Sequence, residues 1–199
     1  MSNLIPEKVA LVLVDMQNDF LHPEGAYGRG GQTSPLMAPL PDVLHQVAQR
    51  VRATEGWVVS TQFTLITGKN GEPFISEHLK KLRPFLTKGD FEPGSWGHDV
   101  LEQLKPVDMT IEKVAYSAFH QSRLHYALQK AGVDTLVFGG IVTNGGVAST
   151  VREAHVLGYN VIVLEDGCAA FSEPVHQAAI GSLASIGKVM SSQEFIEQL

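Results

Sequence analysis

The sequence contains a single cysteine, Cys168, among 199 residues. One cysteine allows neither an intrachain disulfide nor a cysteine-based metal cluster, which fits a reducing compartment. Long runs of Lys or Arg are also missing, and with a net charge of -6 a nucleic acid is a poor partner. No apolar run approaches the roughly 18 residues that span a bilayer, and residues 1–8 do not resemble a secretory signal. These absences predict a cytoplasmic protein that binds neither nucleic acid nor membrane.

The composition is that of a globular protein. Hydrophobic residues make up 44% of the chain and charged residues 18%, so there is enough apolar material for a substantial core. No stretch rich in Pro, Ser or charge has the character of a linker. The sequence therefore predicts one domain over residues 1–199.

Short, β-branched apolar runs recur along the chain. The first, Val9–Val14, is continuous and ends before Asp15, a pattern typical of a central strand buried on both faces. Similar runs occupy residues 57–61, 109–114, 135–138, 160–164 and 188–190. The sequence thus predicts about six strands.

Apolar residues with helical spacing fill most of the intervals between these runs. The predicted helices cover residues 40–53, 76–86, 100–104, 122–131, 147–157 and 174–186. Gly132 and Gly158 each stand between a predicted helix and a strand, where a left-handed residue ends a helix. Alternating strands and helices require right-handed crossovers and a parallel sheet. The predicted fold class is therefore α/β, a three-layer α/β/α sandwich.

Two long intervals, residues 21–39 and 63–73, lack this periodicity and are rich in Gly, Pro and Thr. We predict that both are loops. They come after the first and second strands, and ligands of open α/β sheets bind beyond the carboxyl ends of the strands. The two loops are therefore expected to form walls or lids of a site.

Asp15 and Lys113 both occupy places where a charge is unusual. Asp15 directly follows the most buried strand, where desolvation raises a carboxyl pKa toward values useful for proton transfer; the alternative is an Asp that caps the next turn. Lys113 lies between Ile111 and Val114, where an ammonium needs a carboxylate partner. Pairing with Asp15 would orient both groups, whereas the alternative is a Lys on an edge strand with its head in solvent.

Small residues fill the segment from Gly139 to Thr150, between the fourth strand and a helix. The backbone amides of such a turn can face an anion or a developing oxyanion, and the alternative is a tight turn that needs glycine for packing. The spacing matches neither GxxxxGK[ST] nor GxGxxG, which argues against a nucleotide phosphate site.

Five segments together give the chain a recognisable pattern. They are V-D-M-Q-N-D-F at 14–20, P-G-S-W-G at 93–97, E-K-V-A-Y-S-A-F at 112–119, G-I-V-T-N-G-G-V-A-S-T-V-R-E-A at 140–154 and L-E-D-G-C-A-A at 164–170. In order and spacing they resemble the isochorismatase-like (cysteine hydrolase) superfamily over nearly the whole chain. The resemblance implies a Rossmann-like α/β/α sandwich and a homo-oligomer, a dimer or a tetramer.

The resemblance also assigns catalytic positions. The family's catalytic Asp falls on Asp15 and its Lys on Lys113, while the position of the nucleophilic cysteine in the amidase members is occupied by Gly146. Glycine has no side chain and cannot attack a carbonyl. Cys168 follows the fifth predicted strand, and we interpret it as a packing residue.

Isochorismatases resemble this chain in having glycine at the nucleophile position. The resemblance implies a route without a nucleophilic side chain: a protonated Asp gives a proton to the enol carbon of a vinyl ether, and water attacks the resulting oxocarbenium ion. Asp15 would be that acid, with Lys113 tuning it or holding a substrate carboxylate. Gln62 falls where isochorismatases offer a polar contact to substrate, and a surface Gln is the alternative.

The leading hypothesis is a hydrolase of a small, anionic or enol-ether-like molecule that works without a cysteine. The expected contacts with substrate are Phe20, Gln62, Trp96, Tyr116, Phe119, Val142, Thr143, Asn144 and Gly145. Nicotinamidases carry Asp and paired His metal ligands after the second strand, but Thr61, Gln62 and Phe63 stand there in this chain. We therefore predict neither a metal nor a cofactor.

Two alternatives remain open from the sequence. The chain would be a catalytically silent, small-molecule-binding relative of the cysteine amidases if it kept the pocket and lost the chemistry with Gly146. It would be an amidase if an ionised Asp15 activated a bound water, and its rate would then rise with pH rather than fall.

Overall fold

The computed structural model describes residues 4–199, and its centre is a six-stranded parallel sheet. The strands are β1 (Val9–Val14), β2 (Trp57–Phe63), β3 (Met109–Lys113), β4 (Thr135–Ile141), β5 (Asn160–Ala169) and β6 (Lys188–Met190). Their order in the sheet is β3-β2-β1-β4-β5-β6, and every neighbouring pair is parallel. The predicted fold class and the number of strands are confirmed.

Within the described residues, eight α-helices connect or flank the strands. They are α1 (Asn18–Leu21), α2 (Ala26–Arg29), α3 (Leu40–Ala53), α4 (Glu77–Leu82), α5 (Leu124–Lys130), α6 (Ala148–Val156), α7 (Glu173–Leu183) and α8 (Ser192–Gln198). Gly132 and Gly158 have φ of 72° and 89° after α5 and α6, as predicted for residues that end a helix. Among residues 4–199, no helix is both long enough and apolar enough to cross a membrane.

The side chains of β1 show why the fold has three layers. Its alternate residues face opposite sides of the sheet, so Ala10, Val12 and Val14 join one core while Val9, Leu11 and Leu13 join another. The first core includes residues of α5, α6 and α7, and the second includes residues of α3 and α8. All six side chains are fully buried, and burial of each Val or Leu side chain contributes roughly 1.5–3 kcal/mol of hydrophobic free energy.

Several element boundaries differ from the prediction. The interval 21–39 contains the short helix α2 and a 3-10 turn, Pro35–Met37, and only residues 102–104 of the predicted helix 100–104 are helical. The helix α8 was not predicted, although Ser191 and Glu194 form a capping box at its start. Strand β4 extends beyond its predicted end, to Ile141. Gly140 in this extension has a φ of 126° and lies so close to the Val14 backbone that only glycine, which has no side chain, fits there.

The strand order creates a topological switch point. From β1 the chain proceeds to one side through β2 and β3, and later to the other side through β4, β5 and β6. Crevices at such points, beyond the carboxyl ends of the strands, are where open α/β sheets bind ligands. Here the carboxyl ends of β1 and β4 lead directly into Asp15 and the glycine-rich turn.

A third apolar cluster covers this edge of the sheet. Its buried members are Ala26, Tyr27, Leu65 and Phe91, with Phe20, Phe63, Ile75, Leu79, Phe85 and Leu86 packed against them. The aromatic rings contact one another; for example, the centroids of Phe20 and Phe91 are 4.6 Å apart. This cluster joins segments far apart in the sequence and forms one wall of the site.

Candidate active site

A cavity of about 350 Å³ lies beyond the carboxyl ends of β1, β3 and β4. Its floor is formed by Asp15, Lys113, Ile141, Val142 and Gly146. The remaining lining residues form its walls, and these are Phe20, Tyr27, Phe63, Ser76, His78, Leu79, Leu82, Arg83, Leu86, Val114, Ala115, Tyr116 and Phe171. The volume falls within the range typical of small-molecule sites.

Asp15 and Lys113 meet on the floor of this cavity. The distance from Lys113 Nζ to Asp15 Oδ2 is 2.8 Å, and both side chains are almost fully buried. The sequence predicted that Lys113 needs an internal partner, and the structure supplies Asp15. Lys113 does lie on an edge strand, as the alternative required, but only 3% of the residue is exposed.

Burial raises the pKa of the Asp15 carboxyl above its ordinary value, and the Lys113 ammonium opposes that shift. Asp15 Oδ1 is buried and makes no hydrogen bond within residues 4–199. The Phe63 backbone amide donates to Gln17 Oε1, at 2.7 Å, rather than to this oxygen. A buried oxygen without a partner is costly, so this oxygen is suited to hold a proton or to accept a hydrogen bond from a ligand.

Lys113 is held by more than its carboxylate. Its Nζ also donates to the carbonyl of Ala115 at 3.1 Å and lies 5.5 Å from the centroid of the Phe63 ring. These contacts compensate the ammonium for lost water. Lys113 is therefore fixed beside Asp15 and is not free to follow a ligand.

The turn after β4 brings Gly146 against Asp15. Residues Thr143–Val147 form a single wide helical turn that leads into α6. A β-carbon built on Gly146 would lie 3.0 Å from Asp15 Oδ2 and 3.1 Å from the Ile141 carbonyl oxygen. The backbone of Gly146 therefore lies close to the Asp15 carboxyl, and Gly146 places no side chain beside it.

Alanine at position 146 is expected to destabilise the fold by about 1–3 kcal/mol, because its methyl group would press on the Asp15 carboxyl and the Ile141 carbonyl. Urea unfolding of Gly146→Ala measures the effect. The matched control is Gly181→Ala in α7, where a β-carbon meets nothing within 4 Å, and alanine should stabilise that helix slightly. Equal unfolding free energies for the two variants would contradict this account of the turn.

Three of the predicted wall residues line the cavity. Phe20 contributes from α1, Tyr116 from the segment after β3, and Val142 from the segment after β4. All three are close in sequence to the strand ends that form the floor.

Three other predicted contacts lie away from the cavity. Gln62 alternates with Phe63 on β2, so when Phe63 faces the cavity Gln62 is turned to the opposite side of the sheet. Phe119 is buried in the core beneath α5, stacked on Tyr159. Trp96 is half exposed and contacts His22 edge-on rather than lining the cavity.

The turn residues before Gly146 also lie outside the cavity lining. Thr143 is buried, and its hydroxyl is 2.8 Å from His176 Nδ1, so it anchors the turn to α7. Asn144 is exposed to solvent. Gly145 is buried and sits behind the Val142 side chain. The structure therefore does not support the predicted contacts of these three residues with substrate, and it indicates instead that they determine the shape of the turn.

Several residues that line the cavity were not predicted from the sequence. Tyr27 comes from α2 and Phe171 from the segment after β5, and Leu79, Leu82 and Arg83 come from α4 and its C-terminal end. The spacing of residues 76–86 predicted a helix but carried no signal that this helix lies over the site.

Cys168 does not reach this cavity. It lies in β5, is buried in the core, and its Sγ donates to the Phe138 carbonyl. Burial raises the pKa of its thiol to about 12, so the reactive thiolate is scarce at neutral pH. The interpretation as a packing residue agrees with this environment. Between residues 4 and 199, no three or more His, Cys, Asp or Glu side chains group in a way that could hold a metal ion.

The sequence and the fold resemble those of known proteins. Residues 9–194 match the isochorismatase domain family. An uncharacterized isochorismatase family protein, YwoC of Bacillus subtilis, is 30% identical over 99% of this chain and 97% of its own length. The ureidoacrylate amidohydrolase RutB of Acinetobacter baylyi is 30% identical over 97% of this chain and 84% of its own length.

Among solved structures, a cysteine hydrolase from Pseudomonas syringae pv. phaseolicola superposes with a TM-score of 0.84. It is 24% identical in sequence, and the alignment covers all of this chain and 95% of that one. At this level of identity the likeness establishes the fold.

Proposed function

This chain belongs to the isochorismatase family, a family with named hydrolases among its members, and from that premise we propose that it hydrolyses a small molecule without a cysteine nucleophile. Asp15 is the acid or base of the proposed reaction, and Lys113 fixes its orientation and charge. Gly146 stands at the position that carries the nucleophilic thiol in the amidase members.

The observation that carries the proposal is the position of Gly146 beside the Asp15 carboxyl, of which only one oxygen has a hydrogen bond. Asp15 Oδ2 is bonded to Lys113, Oδ1 has no hydrogen bond within residues 4–199, and the residue facing them has no side chain. A covalent intermediate needs a nucleophile at such a position, whereas proton transfer needs only the carboxyl. The arrangement therefore favours proton transfer.

The raised pKa of Asp15 keeps part of the carboxyl population protonated at pH values where an exposed aspartic acid is fully ionised. A protonated Asp15 gives its proton to the terminal carbon of an enol ether, and the ether carbon becomes an oxocarbenium ion. Water adds to that ion and loses a proton, and the resulting hemiketal collapses to a ketone and an alcohol. The proton lost by water restores the carboxylic acid.

Amide hydrolysis is a second candidate, because the chain is 30% identical to a ureidoacrylate amidohydrolase over 97% of its length. Without a thiol, an ionised Asp15 would take a proton from water, and the resulting hydroxide would attack the carbonyl. The two reactions thus require opposite protonation states of the same residue.

The pH dependence of kcat/KM separates these candidates. For general acid catalysis the rate is expected to fall as pH rises through the Asp15 pKa, with its midpoint above 3.8, the ordinary value for this group. For general base catalysis it rises over the same interval. The measurement uses isochorismate as the vinyl ether and ureidoacrylate as the amide, each assayed from pH 4 to 8. If both ligands bind and neither is turned over at any pH, the chain is a binding protein and the proposal is wrong.

A further inference from the structure

The cavity contains one charged side chain that the proposed reaction does not use. Three lining residues are acidic or strongly basic: Asp15, Lys113 and Arg83. Asp15 and Lys113 neutralise each other at 2.8 Å. No Asp or Glu oxygen in the described part of the chain lies within 4 Å of the Arg83 guanidinium. The cavity therefore has one uncompensated positive charge.

Arg83 is held in a defined orientation. Its Nε donates to the hydroxyl of Tyr27 at 2.9 Å, and its Nη1 donates to the Leu82 carbonyl at 3.0 Å. Tyr27 is itself fixed, because its ring is buried among other aromatic rings, including that of Phe20 at 4.7 Å. Nη2 makes no hydrogen bond to any residue between 4 and 199. A guanidinium anchored on one side and free on the other is prepared to bind an anion.

Most of the other residues that line the cavity are apolar, and they include Leu79, Leu82, Leu86, Phe20 and Phe171. Such walls fit a flat hydrocarbon body and offer little to a polar one such as a sugar. Lys113 is occupied by Asp15 and the Ala115 carbonyl, so it is a poor receptor for a substrate anion.

We propose that Arg83 binds the carboxylate of the substrate and that the substrate class is a small unsaturated or aromatic carboxylic acid. Its carboxylate lies on the guanidinium, its apolar body lies between the leucine and phenylalanine walls, and its reacting group lies at Asp15. The position of the reacting group rests on the proposed function above, whereas the carboxylate site does not.

Binding of a ligand pair tests this assignment. Benzoate carries the carboxylate on a flat ring, and benzyl alcohol is its neutral counterpart. Isothermal titration of the full chain at pH 7 should show that Arg83→Gln weakens benzoate binding by about 10- to 100-fold and leaves benzyl alcohol within twofold. Lys81→Gln is the matched control, because it removes one positive charge from the exposed side of the same helix, and it should change neither affinity.

A second variant distinguishes direct binding of the carboxylate by Arg83 from a role of Arg83 in holding Tyr27 in the cavity wall. Tyr27→Phe removes the hydroxyl that accepts from Arg83 and leaves the guanidinium in place, so the preference for benzoate over benzyl alcohol should persist. Loss of that preference in Tyr27→Phe but not in Arg83→Gln would overturn the proposal, as would equal effects of Arg83→Gln on both ligands. Neither ligand is turned over, so these outcomes are independent of whether Asp15 catalyses a reaction.

Discussion

Replacing Asp15 by asparagine is expected to lower kcat/KM by about 10²–10⁴-fold, because the amide can neither give nor take the proton. Asparagine has nearly the same shape as aspartate, and its oxygen still accepts from Lys113 Nζ, which is 2.8 Å from Asp15 Oδ2 in the native chain. The expected loss is therefore chemical rather than steric. The measurement is turnover of whichever substrate the native chain hydrolyses, together with a circular dichroism spectrum that establishes folding.

The control for this variant is Asp108→Asn. Asp108 Oδ2 accepts from the Val58 amide at the amino end of β2, far from the carboxyl edge that carries the cavity. This substitution changes the same functional group and should leave turnover within about twofold. If Asp15→Asn retained activity close to that of Asp108→Asn, Asp15 would have no part in proton transfer.

Replacing Lys113 by methionine is expected to destabilise the fold by about 3–5 kcal/mol at neutral pH. Methionine fills a similar volume but leaves the buried Asp15 without its cation. The Lys113 ammonium is the main influence that lowers the Asp15 pKa against burial, so removing it raises that pKa further. In the variant, Asp15 therefore keeps its proton to a higher pH than in the native chain, and it loses the contact with Lys113 Nζ that orients it.

The same substitution has a defined pH dependence. A carboxyl whose pKa is raised in the folded state contributes stability that is fully present below the unfolded pKa and is lost as pH rises through the folded pKa. Below about pH 4 Asp15 is neutral in both proteins, and Lys113→Met should cost little there. As pH rises, the variant must keep a proton or bury an unpaired carboxylate, so the difference in unfolding free energy should grow.

Urea unfolding at pH 4, 5.5 and 7 measures this difference. Lys105→Met is the control: Lys105 pairs with Asp99 and Glu102 at the surface, where loss of an ion pair changes stability by about 1 kcal/mol or less. A destabilisation of Lys113→Met that is constant across these pH values would mean that Asp15 is not the group whose ionisation Lys113 controls.

The floor of the site could be predicted because it depends on local patterns. A continuous apolar run such as Val9–Val14 has no stable place except the centre of a sheet, so the Asp that follows it must stand at the carboxyl edge. A lysine in an apolar segment requires a counter-charge, and Asp15 was the acidic residue at that edge. The resemblance to a known family then added Gly146. These inferences involve the ends of strands, which the strand pattern itself locates.

Some errors came from signals that were present in the sequence. The S-x-x-E spacing at Ser191 and Glu194 marks the start of α8. The alternation along β2 separates Gln62 from Phe63, so only one of them can face the cavity. The resemblance to the family assigned a substrate contact to Gln62, but Gln62 lies on the side of the sheet that faces away from the cavity.

The sequence alone determined the sheet and its two helical layers, because each follows from burial along a short stretch of chain, and it offered the Asp15–Lys113 pair as one of two interpretations. Only the tertiary structure decided the walls and the charge that faces the ligand. Helix α4 lies over the cavity because Leu79, Phe85 and Leu86 pack against Tyr27 and Phe91, residues from three separate segments. Contacts between such distant segments leave no periodic trace, and for that reason Arg83 entered the site only when the fold was known.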